Sequence, residues 1–472
     1  MLTPNGVRRY HALSEQEPAQ SQPSAAITVT VFAKLLGLAL LKFATLDPWG
    51  MGIEMEAGRP GWYDALNGLP GLIGSSLCES YELARLLDML LVMLAQAPKT
   101  VELPAELAGL LKEVQTILSG PLAADDFGYW NAVATAREAY RAQTLHGFAG
   151  ALTPLDSAGL EPVLRAFRAK VQAGLDRAVA LNAGIPPTYI AYTVTEYTQL
   201  DATDAQGRSR VRPLAFEPHI LPLFLEGPVH ALKVAPDAVR ARAIHARVRA
   251  SDLFDRKLGM YKVNASLAQE SQELGRCRAF TPGWLENESI WMHMAYKYLL
   301  ELLRAGLYAE FFTDLRQGLT PFLDPAIYGR SPLENSSFIV SSAHPDESLH
   351  GAGFVARLSG ATAEFLSMWT TIMAGPQPFV LQGNQLHLAF KPVLPGWLFR
   401  EDGTITFKFL GQCEVTYHNP ERHDTFAEDT AISRVVLHLP SGDKEIPGPV
   451  IPAPYAEQVR AGQIPAISVY FG

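Results

Sequence analysis

Residues 359–378 read SGATAEFLSMWTTIMAGPQP and divide the sequence into a helical part and a strand-rich part. Most of this stretch, Ser359–Ala374, predicts a helix. Gly375-Pro376 ends it, because glycine favours a helix C-terminus and proline cannot continue a helix. Beyond it, β-branched and aromatic runs alternate with turn residues, which predicts a small antiparallel β-sandwich over residues 377–472. Its predicted strands are Phe379–Leu381, Leu386–Phe390, Ile405–Leu410, Glu414–His418, Arg434–Leu439 and Ile467–Phe471.

The sequence before this boundary is mainly helical. Leucines at helical spacing follow Ser76, and Ser76 with Glu79 fits an S-x-x-E capping box. Tyr189–Leu200 predicts a short hairpin, and residues 214–224 predict loop and helix. The other predicted helices are Ala26–Leu46, 103–118, 121–143, 157–183, Pro236–His245 and Glu286–Leu303. We therefore predict a mainly α fold, with an irregular start over 1–25, an incomplete (α/α) toroid-type barrel over 26–376, and the β-sandwich behind it.

Composition and charge limit the kinds of partner. The chain has 472 residues, a formal net charge of -9 and no tract of clustered Lys and Arg. Nucleic acids and anionic membranes attract such tracts, so neither is an expected partner. Lys34 and Lys42 interrupt the apolar segment Ala26–Leu46, and a charge at the bilayer centre costs about 2.5–3.5 kcal/mol. This segment is therefore expected to be a buried helix of a soluble fold.

Cysteine and histidine spacing gives no sign of a disulfide framework or a metal site. Cys78, Cys277 and Cys413 lie far apart, and residues 1–24 lack the apolar core of a signal peptide. These features favour a reducing compartment, so we expect a cytoplasmic protein. The sequence contains no P-loop, dinucleotide fingerprint, G-x-S-x-G or H-E-x-x-H motif. We therefore expect neither a metal nor an organic cofactor.

Residues 54–67 read EMEAGRPGWYDALN and form the first candidate site. This Gly-rich loop combines aromatic, acidic, basic and amide side chains. Saccharide sites need such a mixture, because aromatic faces cover sugar rings, polar groups bind hydroxyls, and one carboxylic acid protonates the leaving oxygen. The alternative is a surface loop whose Trp62 and Tyr63 cover the end of the barrel. The candidate residues are Glu54, Glu56, Arg59, Trp62, Asp64 and Asn67.

Two later clusters add polar groups. On the predicted helix, Glu286, His293 and Lys297 share one face, so Glu286 could orient a water and His293 could bind an anion. The alternatives are a helix-capping glutamate and a core histidine. Glu334 opens the third cluster, in which Ser359-Gly360 stands at a predicted helix start. Backbone N–H groups there can bind phosphate, although a plain serine N-cap is the alternative.

In this order, the three clusters resemble the cellobiose phosphorylase family of inverting glycoside phosphorylases, within the (α/α)6-barrel glycosidase superfamily. The family's D-W-N-D-x-[LM]-N loop is similar to Gly61–Asn67, and its G-E-S element is similar to Cys78-Glu79-Ser80. Its E-N-G-x-x-x-H element is similar to Glu286–His293, with one extra residue. Its T-G-[ST]-A helix start is similar to Ser359–Ala363. The resemblance spans roughly residues 30–420 and implies an (α/α) barrel with a β-domain.

The resemblance also implies an activity, the cleavage of a β-linked oligosaccharide by phosphate. By this analogy Asp64 is the general acid, His293, Ser359 and Gly360 hold phosphate, and phosphate attacks the anomeric carbon. Glu54, Glu56, Arg59, Trp62, Asn67 and Glu334 are the expected sugar-binding residues.

Two alternatives to this activity stay open. One is an inverting hydrolase with Glu286 as the base, which needs a carboxyl separation of about 6.5–9.5 Å. The other is a catalytically inactive carbohydrate-binding barrel, because the family's first Asp is Gly61 here and its Asn is Tyr63. The family's N-terminal β-sandwich and first barrel helices have no counterpart in the chain. This implies exposed apolar surface, and so a homo-oligomer or another chain that supplies the missing part.

Overall fold

A computed structural model describes residues 1–9, 27–56, 61–96, 98–204, 206–355 and 360–472. The chain divides into two compact units. The first unit comprises Met1–Tyr298, Pro325–Arg330 and Phe338–Val355, and the second comprises Leu299–Asp324, Ser331–Ser337 and Ala356–Gly472. The predicted domain boundaries after residues 25 and 376 stay predictions. Of the expected irregular start, residues 1–9 contain a two-stranded hairpin, and residues 10–25 lie outside the described residues.

The helices of the described residues largely match those predicted. They are α1 Val31–Phe43, α2 Leu77–Leu94, α3 Ala105–Ser119, α4 Asp126–Gln143, α5 Ser157–Leu181, α6 Glu226–Lys233, α7 Ala238–Ala250, α8 Arg276–Ala279, α9 Met292–Arg304, α10 Tyr308–Gly318, α11 Pro325–Tyr328, α12 Gly360–Ala374 and α13 Tyr455–Arg460. The predicted helices are confirmed as α1 to α5, α7, α9 and α12, whereas α6, α8, α10, α11 and α13 were not predicted. Among the described residues, no helix is long and apolar enough to cross a membrane.

The strands are short except for one hairpin. Those before α12 are β1 Leu2–Thr3, β2 Gly6–Val7, β3 Ile53–Glu54, β4 Ser75–Ser76, β5 Thr100–Pro104, β6 Leu152–Asp156, β7 Tyr189–Thr203, β8 Ser209–Ile220, β9 Phe254–Asp255, β10 Met260–Tyr261, β11 Ile290–Trp291, β12 Phe338–Ile339 and β13 Gly353–Phe354. Those after it are β14 Phe379–Gln382, β15 Gln385–Ala389, β16 Thr404–Phe409, β17 Cys413–His418, β18 Ile432–Leu439, β19 Gly442–Pro447, β20 Val450–Ile451 and β21 Ala466–Phe471. All six strands predicted after Pro378 are confirmed.

Helices and one antiparallel sheet build the core of the first unit. Helix α2 packs against α1, α5 and α6, and α3 packs against α4. Phe43 of α1 stacks on Phe167 of α5 with ring centroids 3.9 Å apart. The sheet has the strand order β3-β4-β7-β8, and β4 runs directly into α2. This arrangement fixes the start of α2 beside the sheet, while a closed ring of helices stays a prediction.

Gly174 in α5 lets the backbone turn at Gly50 approach the helix closely. A Cβ at Gly174 would lie 1.8 Å from the Gly50 carbonyl oxygen. A Cβ at Gly159, in the same helix, would meet no described atom within 4 Å. We expect Gly174→Ala to lower the free energy of unfolding by about 1–3 kcal/mol through overpacking. The matched change Gly159→Ala should raise it by up to about 1 kcal/mol, because alanine favours the helix. Urea unfolding followed by circular dichroism measures both, and equal stabilities would contradict this close approach.

The second unit contains two sheets. The larger has the strand order β16-β17-β21-β18-β19, and the smaller has the order β14-β15-β20. Phe379 of β14 and Phe409 of β16 pack across them with ring centroids 5.9 Å apart. The predicted antiparallel pairing holds except at one place, since strands β17 and β21 are parallel, with Val415 opposite Ile467. The long connection from β17 to β21 allows the chain to return in the same direction.

The helix predicted from Glu286 begins instead at Met292, so its predicted start is wrong. Residues 284–287 form a tight turn in which Leu285 and the adjoining Glu288 have positive φ angles of 50° and 56°. The Asn287 side chain donates a hydrogen bond to the Phe280 carbonyl oxygen at 2.8 Å. Such side-chain to backbone bonds compete with helix formation. Only His293 and Lys297 of the predicted face therefore share a helix.

Two other local predictions are corrected. Residues 209–220 form strand β8, where loop and helix were expected at 214–224. Pro213 and Pro218 are tolerated there because β8 lies at the edge of its sheet. The Ser76 side chain makes no cap hydrogen bond to α2, so the capping box is not formed, and Glu79 pairs with Lys42 instead.

Candidate active site

The loop of residues 61–67, called the Trp62 loop below, is anchored by its central tyrosine. Tyr63 is 1% exposed, and its hydroxyl donates a hydrogen bond to the Glu286 carbonyl oxygen. Its ring packs edge-on against Phe224 with centroids 5.2 Å apart. The neighbours on either side stay accessible, since Trp62 is 42% exposed and the Asp64 side chain is 63% exposed. The buried Tyr63 thus holds the exposed Trp62 and Asp64 side chains in place.

Helix α9 places two basic side chains against Trp62. The Trp62 ring stacks on Trp291, with centroids 4.8 Å apart. His293 meets it edge-on at 5.3 Å, and the Lys297 ammonium lies 4.9 Å from its ring centre. His293 and Lys297 are four residues apart, so one face of the helix carries both. The structure thus brings the predicted residues Trp62 and His293 together.

Trp62 lines a cleft of about 350 Å³, called the Trp62 cleft below. Its walls combine one aromatic face with carboxylates and amines, from Lys42, Trp62, Cys78, Glu79, Glu82, Tyr189, Glu226, His230 and Lys297. A second cavity of about 480 Å³ shares Lys42, Gly61 and Glu79 with it and adds Glu54, Glu56, Arg137 and Arg141. Apolar surface with a few convergent polar groups is typical of a small-molecule site.

Two separate sets of hydrogen bonds hold the side chains at the floor of the Trp62 cleft. The Tyr189 hydroxyl donates to Glu226 Oε2 at 2.7 Å. His230 Nδ1 lies 2.8 Å from Glu82 Oε1, and the Lys233 ammonium lies 3.1 Å from the same oxygen. The hydrogen bond with His230 holds the pKa of Glu82 well below its usual range, and the Lys233 charge adds to this effect. The carboxylate and the imidazole are therefore fixed in orientation.

Asp64 and Glu286 form a second acidic group beside the same loop. Arg276 Nη2 lies 2.9 Å from Asp64 Oδ2, and the Arg276 backbone N–H donates to Asn67 Oδ1 at 3.0 Å. Burial raises the pKa of Glu286, and the neighbouring Asp64 charge raises it further. Three predicted site residues, Asp64, Asn67 and Glu286, thus lie around one arginine. Of the two acidic residues, Glu286 is half-buried and Asp64 is exposed.

Glu54 and Glu56 line the second cavity but already have partners. The buried Glu54 accepts hydrogen bonds from the Trp130 indole and from Arg9 Nη2, and Arg137 lies 3.7 Å away. Glu56 pairs with Arg141 at 2.9 Å and remains exposed. Glu54 therefore stabilises the cavity wall, while Glu56 is accessible to a ligand.

The other predicted site residues are not brought into the Trp62 cleft by the structure as described. Arg59 and Ser359 lie outside the described residues. Gly360, the first residue of α12, and Glu334 belong to the second unit. Their participation in phosphate or sugar binding stays a prediction.

Several residues that line the Trp62 cleft, among them Glu82, Glu226 and His230, were not predicted as site residues. Glu226 and His230 are spaced i, i+4 on α6, a pattern that places both on one helix face. Their spacing was a usable signal, but nothing in the sequence indicated that Cys78 and Glu82 of α2 lie opposite them. All three cysteines are free, as expected from their spacing.

Comparisons with known proteins find only distant similarity. No family model and no curated protein matches the chain. Among solved structures, the GH63 mannosylglycerate hydrolase from Thermus thermophilus, in complex with glucose, is 13% identical with a TM-score of 0.26, over 71% of this chain and 92% of that one. An uncharacterized conserved protein from the same organism is 12% identical with a TM-score of 0.27, over the same shares. TM-scores this low support no assignment of fold or activity.

Proposed function

We propose that the chain is a carbohydrate-active enzyme that cleaves a β-linked oligosaccharide, with phosphate as the nucleophile. One observation carries the proposal. The Trp62 ring, flanked by His293 and Lys297, lines a cleft rich in carboxylates, and the same loop carries Asp64 beside Glu286. Sugar-stacking, anion-binding and proton-donating groups therefore belong to one short loop and its neighbours.

The exposed face of Trp62 and the surrounding carboxylates suit a sugar. An indole face covers the C–H side of a pyranose ring, and carboxylates accept hydrogen bonds from hydroxyls. Glu79, Glu82 and Glu226 line the Trp62 cleft, and Glu56 lines the adjoining cavity. This surface extends the predicted sugar site from the Trp62 loop onto helices α2 and α6.

The proton donor in this proposal is Glu286. A general acid must hold its proton at the working pH, and burial raises the pKa of Glu286 in that direction. Asp64, the acid implied by the family resemblance, is largely exposed and paired with Arg276. In our proposal Asp64 sustains the raised pKa of its neighbour. The assignment of Asp64 as the acid stays the competing prediction.

His293, which contacts Trp62, and Lys297 are the proposed phosphate ligands, together with Lys42, which lines the Trp62 cleft as Lys297 does. A phosphate oxygen attacks the anomeric carbon while the bond to the leaving oxygen breaks and that oxygen takes the proton. The products are a sugar 1-phosphate and a shortened saccharide.

Hydrolysis is the second candidate function, because the Trp62 loop brings the Asp64 carboxylate close enough to Glu286 to raise the pKa of Glu286. In that case Asp64 or Glu286 acts as the base that activates water. A purely carbohydrate-binding protein is the third outcome. Incubating the purified chain with cellobiose and other β-linked disaccharides, with and without phosphate, separates these functions. Sugar 1-phosphate formed only with phosphate supports our proposal, phosphate-independent cleavage supports hydrolysis, and binding without turnover supports the third.

Lys297→Met tests the phosphate site. Removing a charge-assisted hydrogen bond costs about 1.5–3 kcal/mol, so we expect the KM for phosphate to rise about 10–100-fold. The KM for the saccharide should change much less. Lys257→Met is the matched control, since Lys257 is exposed and pairs with Glu347. An unchanged phosphate KM in Lys297→Met would remove this lysine from the site.

A further inference from the structure

Cys78, Glu226 and His230 meet at the floor of the Trp62 cleft. One ligand atom from each residue, the thiol sulfur, a carboxylate oxygen and a ring nitrogen, lies within 4.8 Å of the others. All three residues are buried, and all three line the cleft. Sulfur, imidazole nitrogen and carboxylate oxygen are the donor types that zinc takes in proteins.

The local structure explains why these side chains converge. Glu226 and His230 lie one helical turn apart on α6, and Cys78 lies in the first turn of α2, which packs against α6. Strand β4, paired with β7, fixes the start of α2, so the position of Cys78 depends on the sheet. Two helices, α2 and α6, therefore supply all three donor atoms, without any contribution from a long loop.

Neighbouring side chains hold two of the three donor residues, His230 and Glu226, in orientation. His230 Nδ1 is hydrogen-bonded to Glu82. The other ring nitrogen, Nε2, lies 3.8 Å from Glu226 Oε1, beyond hydrogen-bond distance. Tyr189 holds the other Glu226 oxygen. A histidine ligand whose second nitrogen bonds a carboxylate is the usual arrangement around protein-bound zinc.

We propose that Cys78 Sγ, Glu226 Oε1 and His230 Nε2 bind one zinc ion. Tetrahedral zinc with ordinary bond lengths places such donors about 3.4–3.6 Å apart. The donor atoms here lie within 4.8 Å of one another, with Glu226 and His230 3.8 Å apart, so side-chain rotations must bring them closer on binding. The fourth position opens into the Trp62 cleft, where it takes water or an oxygen of the bound ligand. The thiolate and the carboxylate together neutralise the charge of the ion. This site does not depend on the proposed glycoside cleavage.

Direct metal binding tests the site. The full-length chain, stripped with a chelator, is titrated with Zn²⁺ in competition with a chromophoric chelator. We expect one equivalent to bind, and Mg²⁺ not to compete, because it prefers all-oxygen sites. Titration with Co²⁺ should produce a thiolate-to-cobalt charge-transfer band, which reports the sulfur ligand. A chain that binds no Zn²⁺ in the competition, or a Co²⁺ complex without that band, would overturn the proposal.

Variants locate the site within the chain. Cys78→Ser and His230→Gln should abolish the binding of the one equivalent of Zn²⁺. Cys413→Ser, which changes a buried cysteine of the second unit, should retain it. Glu82→Gln should keep the stoichiometry and weaken affinity about 10–100-fold, as expected of a residue that orients a ligand. Circular dichroism establishes that each variant is folded. Wild-type affinity in both Cys78→Ser and His230→Gln would place the ion elsewhere and refute the assignment. If those variants do not fold, the Co²⁺ spectrum of the wild-type chain still decides.

Discussion

Replacing Glu286 with glutamine is expected to lower kcat for glycoside cleavage by about 10²–10⁴-fold, the usual contribution of a general acid. Glutamine keeps the shape of the side chain but cannot donate the acidic proton. The Glu286 backbone carbonyl that anchors Tyr63 is retained, so the Trp62 loop should keep its position. Initial rates of sugar 1-phosphate release measure the effect, and the KM for the saccharide should change little.

The pH profile separates Glu286 from Asp64 as the acid. The Asp64 charge raises the pKa of Glu286, whereas Arg276 lowers it. In Asp64→Asn the charge that raises the pKa of Glu286 is lost, while Arg276 still lowers that pKa. Glu286 should therefore lose its proton at lower pH, and the alkaline limb of the kcat profile should move to lower pH. Activity at the acidic end should persist.

The opposite result in the two variants would support Asp64, the general acid implied by the family resemblance. If Asp64→Asn were inactive at every pH while Glu286→Gln kept its activity, Asp64 would be the acid. Glu347→Gln is the matched control for both changes, since that exposed carboxylate lies outside the Trp62 cleft and should leave kcat unchanged.

Local sequence patterns were sufficient to predict most helices and strands. Helices α3, α4 and α5 carry apolar residues at helical spacing. In strands β16 and β17, apolar and polar residues alternate, and turn residues bound each strand. Neighbouring residues alone therefore specify these elements. The parallel pairing of β17 with β21 could not be read in this way. Strand order depends on contacts between residues far apart in the chain, which no short window contains.

The same distinction applies to the site. The Trp62 loop could be singled out because its aromatic and acidic residues are adjacent in sequence. His293 could be singled out because it shares one face of the predicted helix with Lys297, and the family resemblance added a role for it. Glu286 was predicted as a candidate base at the start of a helix, but the predicted helix start was wrong because Asn287 stabilises a turn there. His230 and Glu82 lie 148 residues apart, and only the packing of α2 on α6 brings them together. The cleft floor is therefore a tertiary feature.

Replacing Asp47 with alanine is expected to lower the free energy of unfolding by about 3–5 kcal/mol. The buried carboxylate accepts hydrogen bonds from the Met51 and Gly52 N–H groups at 2.9 and 2.7 Å, and from the Ser75 hydroxyl at 2.7 Å. A buried donor that loses its acceptor costs about 1–3 kcal/mol, and three are affected. Asp88→Ala is the control, because its partly exposed ion pair with Arg168 contributes at most about 1 kcal/mol. Similar urea midpoints for the two variants would contradict this role.

The stability contributed by Asp47 should also depend on pH. Burial raises the pKa of Asp47 from 3.8 to about 6, although hydrogen bonds from Ser75, Met51 and Gly52 oppose the rise. Because the folded-state pKa is the higher one, this contribution is fully present below pH 3.8 and is lost as pH rises to about 6. The loss amounts to about 3 kcal/mol. Asp47→Asn does not titrate, so the unfolding free energy of the wild type minus that of Asp47→Asn should fall across this window and then level off. A difference that stays constant with pH would show that the hydrogen bonds, and not burial, determine the protonation of Asp47.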